Sequence, residues 1–164
     1  MKKIIAVIGS DGEVSKEVSL IAETIGAEIA KRGFVLCCGG RGGVMESACR
    51  GARKHDGLTV GILPSLDKSQ ANRFLDIVIP TSLGFARNSI VVSAPDVVIA
   101  IYGSVGTLSE IALALNYHKP VVVVEKSGGV ADEVKKLKFE REYEHLIHFA
   151  PPERAVEVAS RFMS

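Results

Sequence analysis

Seven short apolar runs, rich in valine and isoleucine, recur along the chain, and segments with helical patterns separate them. The runs are almost continuously apolar and do not alternate with polar residues. That pattern is typical of strands buried on both faces of a parallel sheet. The predicted strands are residues 3–9, 34–38, 58–63, 75–79, 96–101, 120–124 and, with a weaker signal, 145–149.

The segments between these runs predict helices. In the first, an apolar stripe with a period of about 3.6 residues ends at Gly33, a C-terminal cap. The stripe is Val18, Ile21, Ala22, Ile25 and Ile29, and the later helices are predicted at 44–56, 84–94, around 108–115, at 130–137 and at 153–163. Strand–helix alternation with right-handed crossovers predicts a doubly wound, Rossmann-like three-layer α/β sandwich with a mostly parallel sheet. We expect one domain over residues 1–164.

Charge and composition restrict the kinds of partner. Hydrophobic residues make up 47% of the chain and charged residues 24%, a globular balance that argues against disorder. The net charge is +1, from 20 basic and 19 acidic residues spread along the chain. No basic stripe is present, so we expect no nucleic-acid partner. An anionic ligand must therefore be bound locally, by a few residues.

The cysteine pattern and the first residues of the chain indicate the cellular compartment. Cys37, Cys38 and Cys49 form an odd set without CxxC spacing, which predicts reduced thiols and no metal ligation. On a strand, Cys37 and Cys38 point to opposite faces. The apolar run at residues 4–8 is too short for a signal peptide, and no apolar stretch approaches the roughly 18 residues of a membrane helix. We expect a cytoplasmic protein without a membrane partner.

Three glycine-bearing segments lie where a predicted strand ends and a helix begins, at residues 9–12, 39–43 and 103–107. Ligands of open α/β sheets bind at this edge. Glycine allows the backbone to approach a phosphate closely, and the following helix offers N–H groups and a positive dipole end. The predicted phosphate-binding residues are Gly9, Ser10, Gly39, Gly40, Arg41, Gly42, Gly43, Gly103, Ser104, Val105, Gly106 and Thr107.

Three side chains near these turns have two interpretations each. Thr107-x-x-Glu110 has the spacing of a capping box, in which Glu110 only satisfies backbone N–H groups. Alternatively, the Glu110 carboxylate faces a sugar bound beside the phosphate. Arg87, in the first turn of the helix predicted at 84–94, opposes the helix dipole and is either solvent-exposed or a ligand contact. Arg41 has the same two interpretations.

Other site motifs do not fit. The chain has neither GxGxxG nor a P-loop, and Tyr102 replaces the first glycine of a GxSxG nucleophile elbow. His145 and His148 are three apart on a predicted strand, hence on opposite faces, so no metal site is expected. The polar loop at 64–73 is either a mobile flap or a solvated connection.

Two motifs resemble one known family. Arg87-Asn88, followed after a strand by Gly103-Ser104-Val105-Gly106-Thr107-Leu108-Ser109-Glu110, resembles the signature of the lysine decarboxylase-like superfamily. This group includes the Lonely Guy cytokinin-activating phosphoribohydrolases and the molybdenum cofactor carrier proteins. The segment Gly39-Gly40-Arg41-Gly42-Gly43-Val44-Met45-Glu46 is similar to the family's second glycine motif, and Gly9-Ser10 after the first strand also fits.

The chain departs from the hydrolase pattern at four positions. Tyr102 stands where the hydrolases have proline, Ser104 where they have the second glycine, and Asn88 where they have lysine. Glu46 replaces a glycine. Gly-Gly-Val-Met-Glu and Ala86-Arg87-Asn88 look closer to the carrier branch, which binds a pterin phosphate. No lysine has a recognisable pyridoxal phosphate setting, so lysine decarboxylation is not expected.

The resemblance therefore implies two functions. In the carrier function, the turns bind a phosphorylated small molecule, a nucleotide or the molybdenum cofactor, with no required cofactor, and Asn88 joins the binding residues. In the hydrolase function, the protein cleaves the N-glycosidic bond of nucleoside 5′-monophosphates, with Glu110 and Arg87 as catalytic residues. The departures favour binding. The resemblance also implies a homo-oligomer built from dimers, with Arg87 or its helix near a subunit interface.

Overall fold

The seven predicted strands form one parallel sheet in the computed structural model, which describes residues 1–163. Its order is β4-β3-β2-β1-β5-β6-β7, and each neighbouring pair runs parallel. The strands are β1 Ile4–Ile8, β2 Val35–Cys38, β3 Thr59–Leu63, β4 Ile77–Pro80, β5 Val97–Ala100, β6 Val121–Val124 and β7 Ile147–Ala150. The predicted doubly wound α/β architecture is confirmed.

Helices cover both faces of the sheet. The helices are α1 Lys16–Lys31, α2 Gly43–Arg53, α3 Asn88–Ser93, α4 Val105–Asn116, α5 Gly129–Val134, α6 Arg141–Glu144 and α7 Ala155–Ser160. Apolar side chains of α1, α2 and α7 pack on one face, and those of α3, α4 and α5 on the other. The result is the predicted three-layer sandwich.

The central strands are apolar throughout because each contributes to both cores. In β5, Val97 and Ile99 belong to one core and Val98 and Ala100 to the other, and all four are fully buried. Cys37 and Cys38 divide between the two cores in the same way, as expected for adjacent strand residues.

Two helix predictions were wrong in detail. The segment predicted as one helix at 84–94 consists of a 3-10 turn, Gly84–Arg87, followed by the short helix α3. Gly84 has a φ of 55°, which a regular α-helix does not accept. The segment predicted at 153–163 likewise begins with a 3-10 turn, Pro152–Arg154. His145 lies before β7 and not on it, and helix α6 was not predicted.

The polar loop after β3 is tied to the second glycine-bearing turn. It contains a 3-10 turn, Lys68–Gln70, which Asp67 caps through the backbone N–H of Ser69. At its end, the side chain of Asn72 donates to the Arg41 carbonyl at 3.0 Å, and its backbone N–H donates to Gly40 at 2.9 Å. Among the described residues, no helix is long and apolar enough to span a membrane.

Candidate functional site

A cleft of about 390 Å³ opens at the carboxyl edge of the sheet. Strands β1 and β5 are neighbours, and the register pairs Ile8 with Ala100, so the chain leaves both strands at the same level. From there it continues to α1 on one face and to α4 on the other, which makes this a topological switch point. The lining residues are Gly9, Ser10, Asp11, Arg41, Met45, Pro64, Gly84, Phe85, Arg87, Asn88, Ser104, Gly106, Thr107 and Glu110.

The cleft brings together part of the predicted site. Nine predicted residues line it: Gly9, Ser10, Arg41, Arg87, Asn88, Ser104, Gly106, Thr107 and Glu110. The remaining predicted residues, Gly39, Gly40, Gly42, Gly43, Gly103 and Val105, lie outside the lining. Asp11, Met45, Pro64, Gly84 and Phe85 line the cleft and were not predicted as binding residues. Two of them carried a signal, since Asp11 belongs to the first glycine-bearing segment and Met45 to the second family motif.

The third glycine-bearing turn presents the start of α4 to the cleft. Ser104 is the N-cap residue, and no side chain within residues 1–163 caps this helix. Ser104, Gly106 and Thr107 face the cleft. Because the first N–H groups of a helix have no partner inside it, this end offers free donors and a positive dipole. Gly103 has a packing role, since its φ is 88° and a Cβ there would lie 2.5 Å from Thr107.

The capping-box interpretation of Glu110 was wrong. Helix α4 begins at Val105, so Thr107 is already inside the helix and is not its N-cap. Thr107 and Glu110 are both buried, and both line the cleft. Glu110 therefore lies on the cleft-facing side of α4, one turn from the start of the helix.

Glu110 and Arg87 form a buried, loosely paired couple. Glu110 is 6% exposed and Arg87 8%, so the interpretation of Arg87 as a surface residue was wrong. The Arg87 Nη1 and Glu110 Oε1 atoms are 3.9 Å apart. Burial raises the pKa of Glu110 to about 7, and the charge of Arg87 opposes this shift only in part. Burial also lowers the pKa of the Arg87 guanidinium. The cleft thus contains a carboxyl group that titrates near neutrality.

A chain of hydrogen bonds fixes the Arg87 side chain. Its Nη2 donates to the Gly39 carbonyl at 3.0 Å, and its Nη1 donates to the Asn88 side-chain oxygen. Asn88 in turn donates to the Ser109 hydroxyl at 3.1 Å, and Ser109 donates to the Gly106 carbonyl at 2.7 Å. The network links the end of β2 to the first turn of α4. Ser109 was not predicted, because its partners are distant in sequence or part of the backbone.

One donor of Arg87 has no partner. Its Nε is buried and makes no hydrogen bond to any described residue. A buried, unsatisfied guanidinium N–H is costly, and an acceptor supplied by a ligand or by water would satisfy it.

The second glycine-bearing turn is closed by an acidic side chain. Asp11 Oδ1 accepts from the backbone N–H of Gly42, the N-cap residue of α2, at 2.9 Å. Its other oxygen lies 3.1 Å from Arg41 Nε. Gly43 has a φ of 60°, and a Cβ there would lie 2.2 Å from the Ser10 carbonyl oxygen. The second turn therefore packs tightly against the first one, and the Gly42 N–H already has an acceptor in Asp11.

An apolar wall completes the cleft. Met45 is nearly buried, whereas Phe85 is 90% exposed at the mouth of the cleft. Pro64 contributes a third apolar group. The cleft thus combines apolar side chains with a few buried polar ones, the usual make-up of a small-molecule site.

The cysteines are not among the residues that line the cleft. All three are free and buried, and Cys38 and Cys49 have their sulfur atoms 3.6 Å apart. Burial raises the pKa of the Cys37 thiol. In the part of the chain that the structure describes, no group of three or more metal-ligating side chains comes together.

A seven-stranded parallel sheet with a cleft at its switch point defines a Rossmann-like α/β protein with a candidate ligand site. The chain belongs to the SLOG cluster4 family, whose model matches residues 2–156. The resemblance to the lysine decarboxylase-like, or Lonely Guy, superfamily is confirmed, with the molybdenum cofactor carrier branch among its structural neighbours.

Three proteins illustrate this similarity. The molybdenum cofactor binding protein from Rippkaea orientalis has a TM-score of 0.88 and 38% identity, covering 100% of this chain and 99% of its own. The molybdenum cofactor carrier protein from Chlamydomonas reinhardtii has a TM-score of 0.85 and 32% identity, covering 99% of both chains. A cytokinin riboside 5′-monophosphate phosphoribohydrolase from Mycobacterium tuberculosis is 32% identical over 133 residues, covering 76% of this chain and 71% of the relative.

Proposed function

We propose that this protein binds a phosphate-bearing small molecule in the cleft and acts as a carrier. The ligand class is a nucleotide or a pterin phosphate such as the molybdenum cofactor. The observation that carries the proposal is the uncapped start of α4, whose residues Ser104, Gly106 and Thr107 line the cleft. A helix N-terminus preceded by a glycine turn is a suitable site for a phosphate.

The surroundings of that helix end support the proposal. Arg87 supplies a buried positive charge with one unsatisfied N–H, and Asn88 holds it in place. Met45, Pro64 and Phe85 provide an apolar wall for the remainder of the ligand. The cleft volume falls within the roughly 300–1,000 Å³ of small-molecule sites. Two of the similar structures are described as proteins that bind or carry the molybdenum cofactor.

Thermal unfolding in the presence of candidate ligands tests this proposal. Nucleoside 5′-monophosphates and pterin phosphates are compared with the same molecules lacking the phosphate. A ligand at 100 times its Kd stabilises the folded state by about 2.7 kcal/mol, so binding raises the Tm by several degrees. Only the phosphorylated members of each pair are expected to do so. Equal shifts from both members, or none, contradict the proposal.

A second candidate function is phosphoribohydrolase activity, and the environment of Glu110 favours it. A cleft-facing carboxyl group with a pKa of about 7 is suited to acid–base work at neutral pH. In this function Glu110 stabilises the oxocarbenium-like sugar or orients water, and Arg87 orients the nucleotide. The Mycobacterium tuberculosis relative has this activity in its name. Ser104 and Asn88, which depart from the hydrolase pattern, make the carrier function our first choice.

Release of free base separates the two functions. Purified protein is incubated with nucleoside 5′-monophosphates, and the base is measured by chromatography. The carrier proposal expects negligible base from the wild type. Turnover that is lost in Glu110→Gln, while nucleotide binding is retained, establishes the hydrolase function instead.

We also propose that the protein forms a homo-oligomer built from dimers and acts in the cytoplasm without nucleic-acid or membrane partners. Most of its exposed large apolar side chains fall between residues 77 and 117, among them Ile90 on α3 and Leu108 on α4. Light scattering tests the assembly, and Ile90→Glu with Leu108→Glu is expected to yield monomers. A monomeric wild type at micromolar concentration contradicts it.

A further inference from the structure

The two glycine-bearing turns that begin helices α2 and α4 differ in whether an acidic side chain accepts hydrogen bonds from their backbone N–H groups. At α2, the N–H of the N-cap residue Gly42 donates to Asp11 Oδ1 at 2.9 Å, and the N–H of Gly12 donates to the same oxygen at 2.8 Å. A carboxylate of the chain thus occupies the position where an anion would bind at this helix end. At α4, no described side chain makes the equivalent contact.

The arginine within the α2 turn, Arg41, is also engaged. Arg41 Nε lies 3.1 Å from Asp11 Oδ2, so the second carboxylate oxygen offsets its charge. Asp11 and Arg41 both line the cleft, with side chains 42% and 44% exposed respectively. A ligand in the cleft therefore meets Asp11 directly.

The backbone around Asp11 leaves little room for rearrangement. The N–H of Val44 donates to the Ser10 carbonyl at 3.0 Å. At Gly43 even a methyl group would lie 2.2 Å from the same carbonyl oxygen. The first and second turns thus pack tightly and are hydrogen-bonded to each other, which holds Asp11 at the start of α2.

We infer that Asp11 is a specificity-determining residue that restricts the ligand to a single phosphate group. The inference rests on the proposed function and narrows its ligand class to phosphate monoesters. One phosphate binds at the open start of α4. A second phosphate in the same cleft of about 390 Å³ encounters the Asp11 carboxylate, and like charges at short range repel. At the α2 turn the Gly42 N–H is already bonded to Asp11 and the Val44 N–H to Ser10, so neither is available to the second phosphate in compensation.

Isothermal titration of matched ligand pairs tests this inference. AMP is compared with ADP, and inorganic phosphate with pyrophosphate, at constant pH and ionic strength. The wild type, Asp11→Asn and Glu13→Gln are measured side by side. Asp11→Asn keeps a side-chain acceptor for the Gly42 N–H while removing the charge. Glu13→Gln removes the same charge from an exposed position outside the cleft lining. Asp11→Ser serves as a second variant should Asp11→Asn unfold.

The expected result is a change in the ratio of affinities. The wild type binds the monophosphate of each pair at least as tightly as the diphosphate. Asp11→Asn improves diphosphate binding about tenfold relative to monophosphate binding, equivalent to about 1.4 kcal/mol. Glu13→Gln leaves both ratios unchanged.

Three outcomes overturn the inference. One is a wild type that prefers the diphosphate. Another is an Asp11 variant that gains equally for both ligands, which indicates only a general charge effect, and the third is an unchanged ratio. These results leave the proposed function intact. If no phosphate, nucleotide or pterin phosphate binds the wild type, the proposed function fails, and this inference fails with it.

Discussion

Each side of the cleft has an arginine and a carboxylate. The pair on the α4 side is buried, and the pair on the α2 side is exposed. On the α4 side, the side chains of Arg87 and Glu110 are 10% and 8% exposed, with a 3.9 Å separation. On the α2 side, those of Arg41 and Asp11 are 44% and 42% exposed, with a 3.1 Å separation. We expect the closer pair to contribute less to stability, because solvent screens exposed charges. Similar residue pairs therefore have different surroundings, a buried pair facing the cleft at α4 and an exposed pair closing the turn at α2.

Removing each arginine gives the largest expected contrast. Arg87→Ala leaves the Gly39 carbonyl, the Asn88 side chain and a buried carboxyl group without their partner. We expect it to lower the free energy of unfolding by about 3–5 kcal/mol, the range for breaking a buried ion pair. Arg41→Ala, the matched control, is expected to cost less than about 1 kcal/mol. Urea denaturation measures both, and similar losses would show that burial does not distinguish the two sides.

The protonation of Glu110 makes the stability of the α4 side depend on pH. Its pKa in the folded state is about 7, against an ordinary value of 4.5. Between these values the folded state binds more protons at this residue than the unfolded state does. Its contribution to stability is therefore favourable at low pH and is lost as the pH rises from about 4.5 to 7. The full effect is about 3 kcal/mol.

Glu110→Gln removes this dependence. Relative to the wild type, the variant is expected to gain stability progressively as the pH increases from 5 to 8. Urea denaturation across that range provides the measurement, with Glu13→Gln as a control that keeps the wild-type slope. Parallel curves for Glu110→Gln and the wild type would contradict a raised pKa at Glu110.

Alanine substitutions at one glycine of each turn test two different properties, packing at the α2 turn and ligand access at the α4 turn. At Gly43 an alanine has a left-handed φ of 60° and a Cβ 2.2 Å from the Ser10 oxygen. Gly43→Ala is therefore expected to cost about 2 kcal/mol or more. A Cβ at Gly106 meets nothing within 4 Å and projects from a helical residue that lines the cleft. Gly106→Ala is expected to leave stability unchanged or raise it by up to about 1 kcal/mol.

Ligand titration completes this prediction. The methyl group introduced by Gly106→Ala stands beside the start of α4, so we expect it to weaken binding of a phosphorylated ligand at least tenfold. Unchanged affinity in this stable variant would mean that the phosphate binds elsewhere.

The fold was predictable to the extent that its signals are local. Strands buried on both faces are continuously apolar, so residues 97–100 were recognised within the predicted run at 96–101. The 84–94 prediction failed in its first turn, where Gly84 has a left-handed φ and residues 84–87 form a 3-10 turn before α3 begins. Chain periodicity does not report the φ of a single residue.

The site was predicted where it follows from strand ends, and missed where distant residues pair. Ser104, Gly106 and Thr107 come in the turn after β5 and at the start of α4, and they line the cleft as expected. Asp11 and Gly42 are 31 positions apart, and nothing in either segment indicates that one closes the other. Whether a glycine-bearing turn offers free donors depends on such contacts, which is why two similar motifs have different structures here.

Removing the Ser109 hydroxyl is expected to have only a small effect on stability. It also tests whether the hydrogen-bond chain positions Arg87. It accepts from Asn88 at 3.1 Å and donates to the Gly106 carbonyl at 2.7 Å, joining the Arg87 network to the first turn of α4. Ser109→Ala removes these hydrogen bonds at an exposed position, so we expect a loss of only about 1 kcal/mol or less. Because Asn88 is then free to turn away from Arg87, the affinity for a phosphorylated ligand is expected to fall several-fold.

Ser47 on α2 offers the matched control. Its hydroxyl lies 2.9 Å from that of Ser19 on α1, outside the cleft lining. Ser47→Ala removes one hydroxyl hydrogen bond, against two in Ser109→Ala, and is expected to cost about 1 kcal/mol with no change in ligand affinity. Urea denaturation and isothermal titration of the two variants give a stability and an affinity for each. If Ser109→Ala changes stability alone, as Ser47→Ala does, the hydrogen-bond chain does not position Arg87 for the ligand. A loss of affinity confined to Ser109→Ala assigns that positioning to the α4 side of the cleft.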